Sequence, residues 1–292
     1  MSSSVNHSYR TWASAVSLVL LSLSTIQARA EDDENVISGA GAHFPWVIFD
    51  SVKDDLQKIV SKKIVLYGKN SMLGQGCNAA VKMAKQNTVQ HETFGFVCCQ
   101  IGDEEIKREG LTVYPLAQEP LAVILNKANP VANLTGAQVQ KIFKGEIKNW
   151  KDVGGEDRPV VVITRLHCKD RVTDWKKILP TDKEFAQERV DVSSDDDLVK
   201  RVSDFAGAIG YSGTTWAREP NLAIKQISVD GVAPTAAALK AKTYPYYRNL
   251  SAVTNTTPSK DVLNLIREVQ SGKAFRTAAK QYELLPVHTV EQ

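Results

Sequence analysis

Cysteine, histidine and arginine side chains follow two of the strands that the sequence predicts. Cys98 and Cys99 come directly after the predicted strand 94–97, and the segment 165–170, Arg-Leu-His-Cys-Lys-Asp, follows the predicted strand 160–164. In open parallel sheets, ligands bind at the carboxyl ends of the strands. Thiolate and imidazole groups select soft or borderline cations such as Cu(I) or Zn(II), and they could equally capture a thiophilic species such as arsenite. These two segments therefore contain candidate binding groups.

The cysteines have two further interpretations. Their number is even, namely Cys77, Cys98, Cys99 and Cys168, and in an oxidising compartment an even count usually means disulfides. The vicinal residues Cys98 and Cys99 fit the geometry of a disulfide with each other poorly. Alternatively, His167 could activate Cys168 as a redox or catalytic thiol, although the side chains of adjacent residues usually point apart.

The spacing of apolar residues predicts the elements that position these groups. Strands are predicted at 36–42, 63–67 and 94–97, with helices between them at 47–60 and 79–84. This alternation of strand, turn and helix is typical of a mostly parallel sheet with helices on its faces. The sequence therefore predicts an α/β fold.

The second half of the chain continues the α/β pattern. An apolar strand is predicted at 120–126, and the following helix begins at Thr135, where Thr135 and Gln138 fit a capping box. The strand at 160–164 is apolar until its end, as in a sheet covered on both faces. A last helix is predicted at 258–272, closed by Gly272.

The first thirty residues have the order of a secretory signal peptide. Arg10 precedes an apolar run at 12–26, and Ala28-Arg29-Ala30 comes just before an acidic stretch. We expect cleavage near Glu31, without a membrane anchor, since no cysteine near that point could accept a lipid. Removal of Arg10 and Arg29 lowers the formal net charge from +3 to +1. A nearly neutral chain offers no electrostatic case for binding nucleic acid or an anionic membrane.

Known catalytic and calcium-binding motifs are not found in the sequence. There is no nucleophile elbow, His-Glu-x-x-His pair or phosphate-loop lysine. The acidic run 195–197 lacks the alternating oxygen ligands and the terminal Glu of a calcium loop, so we predict that it starts a helix.

A set of motifs in the second half resembles a known family. Asn129-Pro130-Val131, the segment 142–150 (Ile-Phe-Lys-Gly-Glu-Ile-Lys-Asn-Trp) and Gly154-Gly155 are similar to the phosphate-binding component of bacterial ABC transporters, a type II periplasmic binding protein. Supporting matches occur at 39–42, 208–211 and 230–235, so that the resemblance covers most of the chain after residue 30.

The resemblance implies a fold with two α/β lobes, mixed and mostly parallel sheets, and a central cleft that closes by a hinge motion. The implied boundaries are 1–30 for the signal peptide, 36–116 plus 213–292 for a discontinuous lobe I, and 117–212 for lobe II.

The resemblance also implies a ligand site. In the family, oxyanion contacts come from a first Gly-rich turn, a serine turn after the second strand, an acidic residue after the third, and an arginine followed by a Ser-Gly-Thr turn. Arg165 matches the family arginine, whereas the serine, the acidic residue and the Ser-Gly-Thr turn have no equivalent here. The implied ligand-binding residues are Ala42, His43, Phe44, Gln75, Gly76, Cys77, Cys98, Cys99, Arg165, His167, Cys168 and Lys169.

All four cysteines fall on turns that this placement directs toward the cleft. The metal alternative therefore consists of Cys77, Cys98, Cys99, Cys168, His43 and His167, with copper or zinc as the ion. The disulfide alternative joins Cys77 to Cys98 or Cys99 within one lobe. Cys168 then lies across the cleft as a free thiol or as a redox-controlled clamp.

The resemblance implies a periplasmic solute-binding protein that captures a small anionic solute, with phosphate as the family's default ligand. We expect binding without turnover, no cofactor, no nucleic acid, a monomeric state and an ABC transporter membrane complex as partner. The alternatives are a soft-metal or thiophile site in the same fold, and a thiol-based redox protein or sensor.

Overall fold

The computed structural model describes residues 35–41, 44–67 and 76–287, and within the first helix it describes the side chains of Ile48 and of residues from Val52 onward. The predicted leader and three predicted site residues, Ala42, His43 and Gln75, lie outside the described residues. The leader and the roles of these three residues stay predictions.

The first part of the chain alternates between strand and helix as predicted. Its elements are β1 (Val36–Gly41), α1 (Phe44–Val60), β2 (Lys63–Tyr67), α2 (Gly76–Lys85), β3 (Glu92–Val97) and α3 (Asp103–Glu109). β1 lies between β2 and β3 and is parallel to both. Every residue of β3 is buried, as expected for a strand covered on both faces.

A long strand connects the two parts of the sheet. This strand, β4 (Leu111–Asn126), pairs antiparallel with β11 (Tyr247–Asn255) over residues 111–120 and with β8 (Ala208–Gly213) over residues 121–125. The prediction began this strand only at Pro120, which is where β4 changes partner. The prediction was therefore too short, because the change of neighbour interrupts the apolar pattern without interrupting the strand.

The remaining elements complete the sheet and the helices that cover its faces. They are β5 (Asn133–Leu134), α4 (Gly136–Phe143), β6 (Val161–Thr164), β7 (Val190–Asp191), α5 (Asp195–Asp204), β9 (Ile224–Gln226), β10 (Ser228–Val229), α6 (Ala236–Lys240), α7 (Lys260–Ser271), α8 (Lys273–Gln281) and β12 (Leu285–Pro286). The strand order of the main sheet is β2-β1-β3-β11-β4-β8-β6-β7, with β9 and β12 also paired to β4.

Several predicted local features are confirmed. Thr135 and Gln138 form the capping box at the start of α4. Ser194 caps α5, and the acidic run 195–197 forms its first turn, where negative charge stabilises the positive end of the helix dipole. Gly272 ends α7 as predicted, but it also starts α8.

The buried apolar side chains of the described residues divide into one cluster from 37–117 and 250–284 and two clusters from 121–246. Because β9 pairs with β4 and β10 pairs with β5, residues 224–229 stay with the two clusters from 121–246. By core packing, the chain therefore returns to the first cluster near Leu250, later than the predicted boundary at Gly213. The lobe boundaries themselves stay a prediction.

Among the described residues, no helix combines the length and apolar character that a membrane crossing requires.

Candidate functional site

The candidate site lies where the loop after β3 meets the loop after β6. Gln100 and Val172 form an isolated antiparallel bridge between these loops, and the Gln100 N–H donates to the Val172 carbonyl at 2.8 Å. The carboxyl ends of two strands from different parts of the sheet thus meet at this point. The predicted site residues Cys98, Cys99, Arg165, His167 and Cys168 are brought together there.

Three of the four cysteines form one group, which we call the sulfur cluster: Cys77, Cys99 and Cys168. Cys77, in the first turn of α2, is disulfide-bonded to Cys99, with 6.8 Å between their Cα atoms. The Sγ atom of Cys168 lies 3.2 Å from that of Cys99. All three Sγ atoms lie within 4.8 Å of one another. Of the two pairings left open for Cys77, the structure selects the one with Cys99.

The loop that carries Cys168 holds this residue in an unusual backbone conformation. Cys168 has a φ of 48°, which costs a non-glycine residue roughly 1–2 kcal/mol. Three contacts stabilise the loop: the Arg171 N–H donates to the Cys168 carbonyl at 3.0 Å, Trp175 Nε1 donates to the His167 carbonyl at 2.7 Å, and Lys169 pairs with Asp182 at 2.7 Å. The surrounding contacts therefore hold the backbone of this loop in place around Cys168.

A cation lies beside the sulfur cluster. Arg171 Nη1 is 3.9 Å from the Sγ atom of Cys99, and its other guanidinium nitrogens bind the Glu105 carboxylate at 2.6 and 3.0 Å. Burial raises the pKa of the Cys168 thiol, an effect that Arg171 and a hydrogen bond from the Cys77 backbone oppose. Cys168 is consequently a neutral thiol at neutral pH.

The fourth cysteine has a different neighbour. Cys98 Sγ lies 3.7 Å from His167 Nε2. Burial raises the pKa of Cys98 to about 12, whereas burial, followed by the nearby Arg165 charge, lowers the pKa of His167 to about 4. Both groups are therefore neutral near pH 7, and they do not form the thiolate–imidazolium pair of an activated nucleophile.

Arg165, directly after β6, is buried and has several partners. Its Nη1 atom lies 3.1 Å from His167 Nδ1 and 3.4 Å from an Asp195 carboxylate oxygen, and its Nε atom donates to the Ser193 carbonyl at 3.2 Å. Burial opposes its charge, but Asp195 and other acidic neighbours outweigh that effect and raise its pKa. Arg165 therefore stays protonated at the sheet edge.

A buried charge network continues from Arg165 into the strands that connect the two parts of the sheet. Arg248 on β11 binds Glu119 on β4 at 2.6 Å and lies 3.3 Å from Asp174 and 3.8 Å from Asp195. A Cβ atom at Gly213 would collide with both Arg248 and Glu119, which explains the glycine there. Sequence reasoning missed this network. One available signal was Glu119, a lone acid inside an apolar strand.

The other predicted site residues have peripheral positions or are only partly described. Gly76 begins α2 with a φ of 80°. Only the backbone of Phe44, at the start of α1, is described. Lys169 faces outward, with its ammonium group on Asp182. A cavity of about 520 Å³ opens beside the sulfur cluster, lined by Asn78, Gln100, Glu105, Cys168, Asp170 and Arg171 among others.

Comparison with known proteins assigns the family. A family model described as a PBP superfamily domain matches residues 30–279. The chain belongs to the PBP superfamily. One PBP relative, the phosphate-binding protein PstS of Bacillus subtilis, is 26% identical over 189 residues, or 61% of this chain and 62% of that protein. The match thus spans less than two thirds of the Bacillus protein. PstS of Borreliella burgdorferi is 26% identical over 249 residues, or 82% of this chain and 85% of that protein.

Solved PBP structures confirm the predicted fold class. A phosphate ABC transporter substrate-binding protein from Clostridium perfringens, solved with bound phosphate, has a TM-score of 0.71 at 24% identity and covers 87% of this chain and 100% of its own. An ABC-type phosphate transport receptor from Vibrio cholerae has a TM-score of 0.60 at 21% identity, covering 86% and 99%. The fold is the two-lobed type II PBP fold, and the predicted resemblance to the phosphate-binding family is confirmed.

Proposed function

We propose that the protein is an exported solute-binding protein that captures a small oxyanion, in the first instance inorganic phosphate, where β3 and β6 end. The observation that carries the proposal is the position of Arg165 at the carboxyl end of β6, in contact with His167, which in turn reaches Cys98 after β3. The names of the PstS relatives support phosphate as the ligand.

The chemistry of Arg165 suits this role. A guanidinium presents planar N–H donors that match the oxygens of a phosphate, and such charge-assisted bonds are among the stronger ones in proteins. Burial lowers the local dielectric, so the attraction of Arg165 for an anion exceeds that of an exposed lysine. The position of Arg165 at the carboxyl end of β6, the edge where open sheets bind ligands, supports this role.

Asp195 competes with an anionic ligand for Arg165. Its carboxylate lies 3.4 Å from Arg165 Nη1 and 3.8 Å from Arg248 Nη1, so an incoming anion competes with Asp195 for the guanidinium. Capture in the proposed site requires Arg165 to share or exchange this partner. The affinity therefore depends on the balance between Asp195 and the ligand.

Export, binding without turnover and delivery to a transporter follow from the family resemblance, and we propose them together with phosphate capture. The signal peptide at 1–30 directs the chain to the periplasm, where it binds its solute without chemical turnover and delivers it to an ABC-type membrane complex. No cofactor takes part in this cycle.

Titration calorimetry with inorganic phosphate tests the proposal. We expect saturable heat from one site, and a loss of about 10–100-fold in affinity in Arg165→Ala, since a hydrogen bond to a charged group contributes about 1.5–3 kcal/mol. Arg165→Lys keeps the buried charge and serves as the variant that folds if Arg165→Ala does not; it should bind more weakly than the parent protein.

The matched control is Lys200→Gln, which removes an exposed cation on α5 and should leave the affinity for phosphate unchanged. The proposal fails if the folded protein gives no heat at millimolar phosphate. It also fails if both Arg165 variants bind phosphate as tightly as the parent.

A further inference from the structure

Of the three cysteines in the sulfur cluster, two form a disulfide and the third is a free thiol. Cys77 and Cys99 are bonded to each other, and the Cys168 thiol lies 3.2 Å from Cys99 Sγ. Its loop holds Cys168 at a positive φ, a strained conformation of the kind that concentrates at functional sites.

We propose that the reduced protein binds one trivalent thiophilic centre, with arsenous acid as the simplest case, through the sulfurs of Cys77, Cys99 and Cys168. Three Sγ atoms within 4.8 Å of one another can all bond to a single pyramidal centre. Of the six metal candidates named from the sequence, the structure gathers these three. Cys98 faces His167 instead, and His43 lies outside the described residues.

Access to the cluster comes from the adjoining cavity. Cys77 and Cys99 are buried, whereas Cys168 is half-buried and lines the cavity of about 520 Å³. A small uncharged solute can therefore reach Cys168 first and the two buried sulfurs afterwards. Neutral arsenous acid meets that requirement without carrying a charge into the protein interior.

Charge selects a trivalent centre over the common soft cations. Three thiolates carry three negative charges, so Cu(I) would leave two of them uncompensated and Zn(II) would leave one. The neighbouring cation Arg171 is already paired with Glu105, and burying a charge without a partner costs several kcal/mol. Among the described residues, no fourth His, Cys or acidic group joins the cluster to complete the tetrahedral shell of zinc. A trivalent centre gives a neutral product.

The chemical steps balance with a phosphine as the reductant. The phosphine first reduces the Cys77–Cys99 disulfide and, with one water molecule, becomes a phosphine oxide, leaving three protein thiols. The three thiols then condense with As(OH)₃: three S–H and three As–O bonds break, three As–S bonds form, and three water molecules leave. The product joins the loop after β6 to α2 and to the loop after β3.

Mass spectrometry under native conditions tests the site on the whole protein. After reduction with a phosphine and addition of arsenite, we expect one adduct per chain with the mass of one arsenic atom minus three hydrogen atoms. X-ray absorption at the arsenic edge should show three sulfur neighbours and no oxygen. Protein kept oxidised should show no adduct, because two of the three sulfurs are then bonded to each other.

Variants separate the cluster from the remaining cysteine. Cys168→Gly suits the positive φ of this position and should fold, yet it should bind arsenite at least ~10-fold more weakly, as should Cys77→Ser. Cys98→Ala is the matched control, and it should retain the three-sulfur adduct. Circular dichroism and thermal unfolding confirm that each variant folds.

Three outcomes would overturn the assignment. The first is an adduct that keeps an As–OH group and is unchanged in Cys168→Gly, which would show binding through only two sulfurs. The second is loss of the adduct in Cys98→Ala. The third is the absence of any adduct on reduced, folded parent protein. Phosphate binding is measured separately, so failure here leaves the proposed function standing.

Discussion

The buried ion pair between β4 and β11 allows a quantitative prediction. Glu119 accepts hydrogen bonds from Arg248 Nε at 2.6 Å and from the Thr215 N–H and hydroxyl at 2.8 and 2.5 Å. Both charged side chains are at most 1% exposed. In Glu119→Gln the shape is kept and Thr215 can still be satisfied, but the charge is lost and an amide N–H₂ group is left facing Arg248.

Removing one partner of a buried ion pair typically costs about 3–5 kcal/mol, because the other charge remains without compensation. Here Asp174 and Asp195 remain within 3.3 and 3.8 Å of Arg248, so we expect the lower end, about 3 kcal/mol. For a chain of this size, that lowers the Tm by roughly 6–12 °C. In Glu119→Gln combined with Arg248→Met, the loss should be smaller than the sum of the single losses.

Urea unfolding followed by circular dichroism measures these differences as a shift of the midpoint at constant slope. Asp55→Asn is the matched control, since Asp55 and Lys58 form a pair at 3.4 Å whose side chains are 65% and 77% exposed, and its cost should stay below about 0.5 kcal/mol. A loss under ~1 kcal/mol in Glu119→Gln would refute the view that this pair compensates a buried charge.

Three further predictions concern the candidate site. Cys77→Ser leaves the Cys99 and Cys168 sulfurs 3.2 Å apart, so oxidation with diamide should join them, and peptide mapping that finds Cys168 still free would contradict this. Asp195→Asn should tighten phosphate binding about 10-fold, because it removes the competitor for Arg165; unchanged or weaker binding by calorimetry would contradict it. The pKa of His167 is lowered from its ordinary 6.5 to about 4 in the folded state. The stability linked to this shift is therefore complete above pH 6.5 and is lost as the pH falls through about 4, up to about 3 kcal/mol. In His167→Gln, the free energy of unfolding should fall less steeply with decreasing pH.

The sequence predicts the features that depend on neighbouring residues. The capping box of α4 needs only Thr135 and Gln138, three positions apart. The sequence places Arg165 and Cys98 at the sheet edge, because each directly follows an apolar strand. The alternation of β1, α1, β2, α2 and β3 likewise follows from local apolar spacing.

What the sequence could not predict depends on pairing between distant segments. Arg248 and Glu119 are separated by 129 positions and meet only because β11 pairs antiparallel with β4. The choice of Cys99 over Cys98 as the partner of Cys77 has the same origin. Adjacent residues of the loop after β3 face different neighbours, and composition does not indicate which one faces α2.

The different contacts of the adjacent residues Cys98 and Cys99 divide the candidate site into two parts. Cys98 faces His167 at 3.7 Å and Cys99 faces Cys168 at 3.2 Å, so two consecutive residues after β3 meet residues in the loop after β6 in the same order. His167 contacts Arg165, which in turn contacts Asp195. Cys168 instead lies beside Cys77 and lines the cavity. One strand junction therefore holds the proposed oxyanion site and the proposed thiol site side by side. Cys98 and His167 belong to the first site, and Cys99 and Cys168 belong to the second. A substitution at Cys98 or at Cys168 can therefore test one site while leaving the contacts of the other in place.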